Sequence, residues 1–442
     1  MLTPTETAVA RASGFSGPDR PLWDDYSKCI HCGLCLNHCP TYRELGVEMD
    51  SPRGRIYQMI QVDEGRMPLA DHFVKHIDLC LDCRACETAC PSKVQYGKLV
   101  EAARAQIERH YRRPLAQRIA RHIAFRYLLS SPTLLQLAGW GLWFYQVSGL
   151  QQMARRSGLL EELGLAGIEA LSPGAEPPFF FRQLGKVYPA RGKRRFRVAL
   201  FAGCIANISF ARLNEATVRV LAANGCEVVV PRGQLCCGAL HCHAGVREQA
   251  RRLARRNIDV FLREPFDAFI TNAAGCGSTL KEYHQLLAGD HDYAGRAETF
   301  STKMKDVTEF LAEAGLVQPL GAVPLRATYQ DPCHLGHGQR VRDAPRELIG
   351  RVPGLEFREL PLADICCGSA CIYNVQHHDL SMSLLNKKIE AVNGTRAEVV
   401  LTANPGCLLQ LRAGVQKWGH SQRVWHVVEL LDQSAHAAEP PG

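Results

Sequence analysis

The N-terminal stretch MLTPTETAVARASG of this 442-residue sequence lacks the apolar core of a secretory signal, so the chain is expected in the cytoplasm. No G-x-G-x-x-G follows a predicted strand, which argues against a flavin or a nicotinamide cofactor on this chain. Its arginines are scattered, and no helix-turn-helix or RNP-like run accompanies them, so nucleic acid is not an expected partner. A net charge of +8 suits an acidic protein or an anionic membrane surface without choosing between them. With 46% apolar and 22% charged residues the composition is that of an ordinary globular protein. Cysteine is the exception. There are 19, an odd number in a chain too large to need disulfide staples, so reduced thiols bound mostly to metal are expected.

Eight of them fall into two identical runs. Cys29-Ile-His-Cys32-Gly-Leu-Cys35-Leu-Asn-His-Cys39-Pro40 and Cys80-Leu-Asp-Cys83-Arg-Ala-Cys86-Glu-Thr-Ala-Cys90-Pro91 both read C-x2-C-x2-C-x3-C-P. This spacing curls the backbone so that three thiolates face three irons of one cube, and the fourth cysteine ligates the other cluster. Cys29, Cys32, Cys35 and Cys90 are therefore expected to hold one [4Fe–4S] cluster, and Cys80, Cys83, Cys86 and Cys39 the other. The fourth cysteine should begin a helix, with the proline tolerated at its start. Paired zinc sites are the alternative, but they have no use for the third cysteine and the C-P ending. Between the runs, Ser51 can cap a helix with Pro52 at its first position. Arg53 and Arg55 lie on it, as cluster-stabilising or partner-binding charges or as a solvated helix start.

Cysteine-free helical patterns follow (VEAARAQIERHY, AQRIARHIAFRYLL), then a Pro/Gly-rich and basic stretch (SPGAEPP, ARGKRRF). Beyond it the short runs RVALF, EVVV, AFIT, ATYQ and VVLT alternate with helical patterns, which implies mainly parallel sheets. This region is duplicated. Cys204 and Cys333 are 129 residues apart, Cys236 and Cys366 130, and Cys276 and Cys407 131, each with similar neighbours. The expected fold class is a multidomain α+β and α/β chain: a helical two-[4Fe–4S] ferredoxin-like domain, then duplicated α/β cysteine-rich modules. The expected boundaries are a mobile arm at 1–20, the ferredoxin-type domain at 21–100 and a basic helical linker region at 101–196. The modules follow at 197–325 and 326–432, and a tail at 433–442.

In each module a cysteine ends a predicted strand, a Cys-Cys-Gly follows, and a Gly-Cys comes after another strand. Loops at the carboxyl ends of parallel strands converge on one crevice. Cys204, Cys236, Cys237 and Cys276 would meet in the first module, and Cys333, Cys366, Cys367 and Cys407 in the second, as a further metal or redox site. His241, Cys242 and His243, and His334, His337 and Cys371, lie nearby in sequence. Reduced buried thiols or a redox disulfide are the alternative.

The halves resemble the cysteine-rich CCG modules of heterodisulfide reductase and of glycerol-3-phosphate dehydrogenase iron–sulfur subunits. The whole order resembles more closely the iron–sulfur subunits of glycolate oxidase: two ferredoxin motifs, SPRGRIY, a basic helical linker, then GC…CCG…GCG and DPC…CCGSA…GC, from Cys29 to Leu431. The resemblance implies a non-catalytic electron-transfer subunit of a 2-hydroxy-acid dehydrogenase complex, with two flavin-containing partner subunits that oxidise glycolate and a quinone acceptor downstream. It implies two [4Fe–4S] clusters, an additional iron–sulfur cluster in the CCG modules, and no flavin or catalytic residue here. D-Lactate or glycerol 3-phosphate as substrate of the complex, or a heterodisulfide-reductase-like subunit, stay open. The fuller CCG pattern ends C-x2-C, whereas here Thr279 and Gln410 occupy the last positions, so each half is one thiolate short. Cys242 or Cys371 is the available substitute.

Tyr127 to Leu150 holds no charged residue, contains Trp140, Trp143, Phe144 and Tyr145, and is flanked by Arg121, Arg126, Arg155 and Arg156. Pro132 and its polar residues weaken it as a membrane span. The expectation is a surface covered by partner subunits or by this chain, or a peripheral contact on the cytoplasmic face of the inner membrane.

Overall fold

The computed structural model describes residues 13–438 and divides into two compact units. One comprises the chain to Arg113 together with Cys242–Val246, the other Pro114–His241 and the chain from Arg247 onward.

In the N-terminal unit, α1 (Pro52–Asp63), α2 (Asp71–Asp78) and α3 (Tyr96–His110) carry the core. Ser51 accepts a hydrogen bond from the Gly54 N–H and Pro52 opens α1, the expected cap. Met59, Val62, Phe73, Ile77, Leu99 and Ile107 are fully buried among these helices. Residues 1–12 of the expected arm and 439–442 of the expected tail lie outside the described residues. From Ser13 onward the segment packs onto this unit, with Phe15 buried and the Gly14 N–H 3.0 Å from the Val62 carbonyl.

The other unit opens with α4 (Leu115–His122), which continues as a π-helical turn over Ile123–Leu128, and α5 (Pro132–Val147). Ser131 caps α5 at 3.4 Å from the Leu134 N–H, so Pro132 starts a helix rather than merely interrupting one.

Two sheets follow. The first contains β1 (Val187–Tyr188), β2 (Phe196–Leu200), β3 (Cys226–Val229), β4 (Ala268–Thr271) and β5 (Met304–Asp306), in the order β1-β3-β2-β4-β5. All pairs are parallel except the β1 edge. The second contains β6 (Arg326–Tyr329), β7 (Glu356–Phe357), β8 (Val399–Thr402) and β9 (Arg423–His426), in the order β7-β6-β8-β9, all parallel. Without β1, both sheets run second-first-third-fourth, so the cysteine repeat is also a repeat of topology. The strand order reverses between β2 and β4, and again between β6 and β8, which opens a crevice at the carboxyl ends of those strands.

The sheets share one core, in which Val198, Leu200, Ile270, Val400 and Leu401 are fully buried. α6 (Ala211–Ala223) of the first repeat packs on α7 (Val427–Ala437) of the second, where Arg219 makes a two-pronged ion pair with Asp432 at 2.6 and 3.0 Å.

Candidate metal centres

In both ferredoxin runs the same two positions take a left-handed backbone. These are His31 and Gly33 in the first (φ 54° and 85°) and Asp82 and Arg84 in the second (φ 53° and 60°). Such φ values are unfavourable for side chains other than glycine and recur where a surrounding structure over-determines them. Here they produce the curl that turns three cysteines inward. Arg84, standing where the first run has glycine, is held at 3.4 Å by Glu101.

The curled loops interleave. A small cavity of about 20 Å3 is lined by Cys80, Cys83 and Cys86 of the second run and by Cys39 of the first, together with Arg55 and Tyr96. Burial raises the Cys86 thiol pKa, with Cys83, Cys39 and Cys80 pushing the same way. In the other group, burial raises the Cys29 pKa, assisted by Cys90 and Cys32, and pushes Cys35 up to about 11. Cys39 thus lines the same cavity as the first three cysteines of the second run, and Cys90 lies near Cys29 of the first.

Pro40 opens a helix directly after Cys39, as expected (Pro40–Leu45). After Cys90 the structure differs: Pro91 enters a turn, Lys93 takes φ 53°, and helix resumes only at Tyr96. A left-handed residue cannot continue a right-handed helix, so the second exit is a loop. N–H and O–H donors surround the sulfurs, with the Asp82 N–H 3.3 Å and the Tyr96 hydroxyl 3.7 Å from Cys80 Sγ. Of the two arginines, Arg55 is buried and donates to the His76 carbonyl (2.7 Å), Thr41 Oγ1 (3.1 Å) and Asp50 Oδ1 (3.4 Å). Arg53 pairs with Glu48 at 2.7 Å and donates to the His31 carbonyl at 3.0 Å.

In the other unit each repeat strings its four cysteines side by side. Cys204 Sγ lies 3.5 Å from Cys236 Sγ, and thiol hydrogen bonds continue through Cys237 to Cys276. Cys333, Cys366, Cys367 and Cys407 form the equivalent string. The first and last of each string sit beyond β2 and β4, or β6 and β8, flanking the crevice. Gly368 is needed where it stands: its φ is 89°, and an added Cβ would lie 2.5 Å from the Ser381 carbonyl oxygen. Backbone N–H groups of Gly238 and Ala239 point at Cys236 and Cys237 Sγ, both at 3.5 Å. A curled, sulfur-rich donor set with N–H groups aimed at the sulfurs fits an iron–sulfur cluster.

The nearby candidates separate. Cys371 adopts φ 60°; the hydrogen bond with Cys237 lowers the Cys276 pKa, but burial, then Cys204, Cys236 and Cys371, outweigh it. His241 turns away, with Nε2 2.9 Å from the Phe125 carbonyl. His337 Nδ1 accepts from Arg342 (3.0 Å), leaving Nε2 to donate to the Asp364 carbonyl (3.0 Å). His334 is buried beside Cys333. Cys242 and His243 belong to the N-terminal unit. Cys226, inside β3, is a core thiol that burial pushes up to about 12.

His243 exposes a cluster that the sequence did not announce. Its Nδ1 is 2.8 Å from Asp82 Oδ2 and 3.2 Å from Glu101 Oε1, all three side chains being buried. Burial alone would raise the Asp82 pKa, but His243, Arg84 and Arg104 outweigh it and hold the carboxyl below its usual range. Only the HCH after the Cys-Cys-Gly hinted at this histidine; Asp82 and Glu101 carry no local signal.

Residues 25–94 match the 4Fe-4S dicluster domain family, and residues 198–281 and 327–412 match the cysteine-rich domain family. Residues 116–172 match the linker region of the glycolate oxidase iron-sulfur subunit. A probable glycolate oxidase iron-sulfur subunit of Bacillus subtilis is 41% identical over 92% of this chain and 93% of that one. The chain belongs to the glycolate oxidase iron–sulfur subunit family. The Escherichia coli glycolate oxidase iron-sulfur subunit is 32% identical over 92% of this chain and 93% of its own. Lactate utilization protein A of an Exiguobacterium strain is 30% identical over 54% of this chain and 99% of that one. Family and cysteine geometry agree that this is an iron–sulfur protein.

Proposed function

We propose that this chain is the electron-transfer subunit of a flavin-dependent glycolate oxidase complex, receiving electrons from two flavin-containing subunits and delivering them towards a quinone. The observation that carries the reading is the interleaving of two ferredoxin-type loops in a member of the glycolate oxidase iron–sulfur subunit family. Cys29, Cys32, Cys35 and Cys90 would hold one [4Fe–4S] cluster and Cys80, Cys83, Cys86 and Cys39 the other. The strings Cys204, Cys236, Cys237, Cys276 and Cys333, Cys366, Cys367, Cys407 would hold further iron. Bound clusters supply one-electron carriers; the protein supplies thiolates, N–H donors to sulfur and the buried charges around them.

The substrate chemistry is assigned to the partners, so the isolated chain should not oxidise glycolate. Affinity purification should bring down flavin-containing subunits, and glycolate should then reduce the clusters. Glycolate turnover with an artificial dye by the single purified chain would sink this reading. The likeness to lactate utilization proteins supports a second substrate, lactate, which the same reduction assay distinguishes.

The outer face of α5 supports a peripheral membrane or partner contact. Leu137, Phe144 and Val147 are 62%, 58% and 58% exposed, while Leu135 and Gly139 face inward. Among the described residues, no helix is long and apolar enough to cross a membrane.

A further inference from the structure

The two cysteine-rich repeats differ in charge at one buried position. The helix Arg247–Phe261 and its counterpart His378–Thr395 each pass beneath the Cys-Cys-Gly loop of their own repeat. Gly238 approaches Ala250 in the first repeat and Gly368 approaches Ser381 in the second, which sets the helices in register at an offset of 131. The same offset pairs buried Leu253 with Leu384 and Ile258 with Ile389. It also pairs Asn257 with Lys388, 0% and 4% exposed.

Both side chains tie their helix to the cysteine-bearing loop. Asn257 Nδ2 donates to the Cys236 carbonyl at 3.0 Å, and its Oδ1 accepts from the Leu235 N–H at 2.8 Å. Lys388 Nζ donates to the Leu362 and Ala363 carbonyls at 2.5 and 3.3 Å. A neutral amide therefore suffices for the fastening. An ammonium in its place carries a desolvation cost that hydrogen bonds to carbonyls offset poorly, which asks for an anion nearby. Burial lowers the Lys388 pKa, and the negative groups around it, the Cys367 and Cys366 sulfurs and the Asp364 and Asp331 carboxylates, raise it again.

We propose that Lys388 sets the charge of the second repeat's site, so that an iron–sulfur cluster held there is reduced at a higher potential than one held by the first repeat. The inference rests on the reading that these strings hold clusters. One-electron reduction adds a negative charge, from dithionite in a titration, and breaks no protein bond. A cation buried beneath the cysteine-bearing loop, in a poorly solvated site, stabilises that reduced state more than the oxidised one. The duplicated sites are thereby made unequal, and the second repeat becomes the preferred electron acceptor of the pair.

The test is anaerobic potentiometric titration of the full chain followed by paramagnetic resonance, with signals assigned to the repeats by Cys236→Ser and Cys366→Ser. Lys388→Asn copies the first repeat and should lower the midpoint of the second repeat's signal alone, whereas Lys388→Arg should keep it near wild type. Asn257→Lys should raise the midpoint of the first. An unshifted midpoint in iron-replete Lys388→Asn overturns the inference and leaves the cluster reading intact. If Lys388→Asn fails to fold, Asn257→Lys decides, and no rise overturns the proposal. Iron that stops at about eight per wild-type chain, the content of two cubanes, overturns the cluster reading and this inference together.

Discussion

His426 Nε2 donates to the Asn272 carbonyl at 3.0 Å, joining the last strand of the second repeat to the loop after β4 of the first. Its Nδ1 accepts from the Val428 N–H at 3.1 Å, so the ring is used at both ends as the neutral tautomer. Burial drives its pKa down to about 4, only partly opposed by the Asn272 and Ala403 carbonyls.

The sign of the resulting pH dependence follows from linkage. A histidine of ordinary pKa near 6.5 in the unfolded chain binds a proton more readily there than in the fold, so its contribution is intact above about pH 6.5. Stability is then lost as pH falls towards 4, by roughly 1.4 kcal/mol per pH unit. Chemical denaturation of the wild type and of His426→Gln between pH 7 and 4.5 should show a steeper fall in the wild type. Parallel curves would remove His426 from the account.

Arg55 is fixed among Asp50, Thr41 and the His76 carbonyl, beneath the loop that carries Cys80. Arg55→Met takes the guanidinium away from the buried Asp50 carboxylate, which keeps His76 Nδ1 at 2.8 Å, and costs up to roughly 3–5 kcal/mol. Thermal unfolding of the N-terminal unit should shift down accordingly, and the Asp50→Asn, Arg55→Met double variant should recover part of the loss. A double variant no better than the single one would show that packing, not charge, dominates.

Cys39→Ser should damage chiefly the cluster of Cys80, Cys83 and Cys86, and Cys90→Ser chiefly that of Cys29, Cys32 and Cys35. Paramagnetic resonance of the two variants separates the effects. Loss of the Cys29–Cys35 signal alone in Cys39→Ser contradicts the crossed arrangement.

The exposed face of α5, flanked by arginines, should place the protein at an anionic surface from which high salt or carbonate removes it. Leu137→Ser with Phe144→Ser should weaken sedimentation with vesicles containing phosphatidylglycerol by several-fold. Unchanged sedimentation assigns the face to a protein partner, and release by detergent alone contradicts a peripheral contact.

What could be read from residue order were features whose causes are local. The C-x2-C-x2-C-x3-C-P spacing dictates a curl within a dozen residues, Ser51-Pro52 dictates a helix start, and short β-branched runs dictate the strands β2, β4 and β8. The duplication was legible because three cysteine offsets agree. Two-residue β7 and the edge strand β1 were not, since runs that short carry no periodicity. Tertiary packing decided the partners: His243 meets Asp82 across 161 residues of sequence, while His241, two positions earlier, turns to Phe125. It also decided that Asn257 and Lys388 are equivalent, one neutral and one charged beneath matching cysteine loops. Such pairings depend on how elements far apart in the chain dock, and burial changes a side chain's charge and reach in ways that neighbours in sequence do not encode.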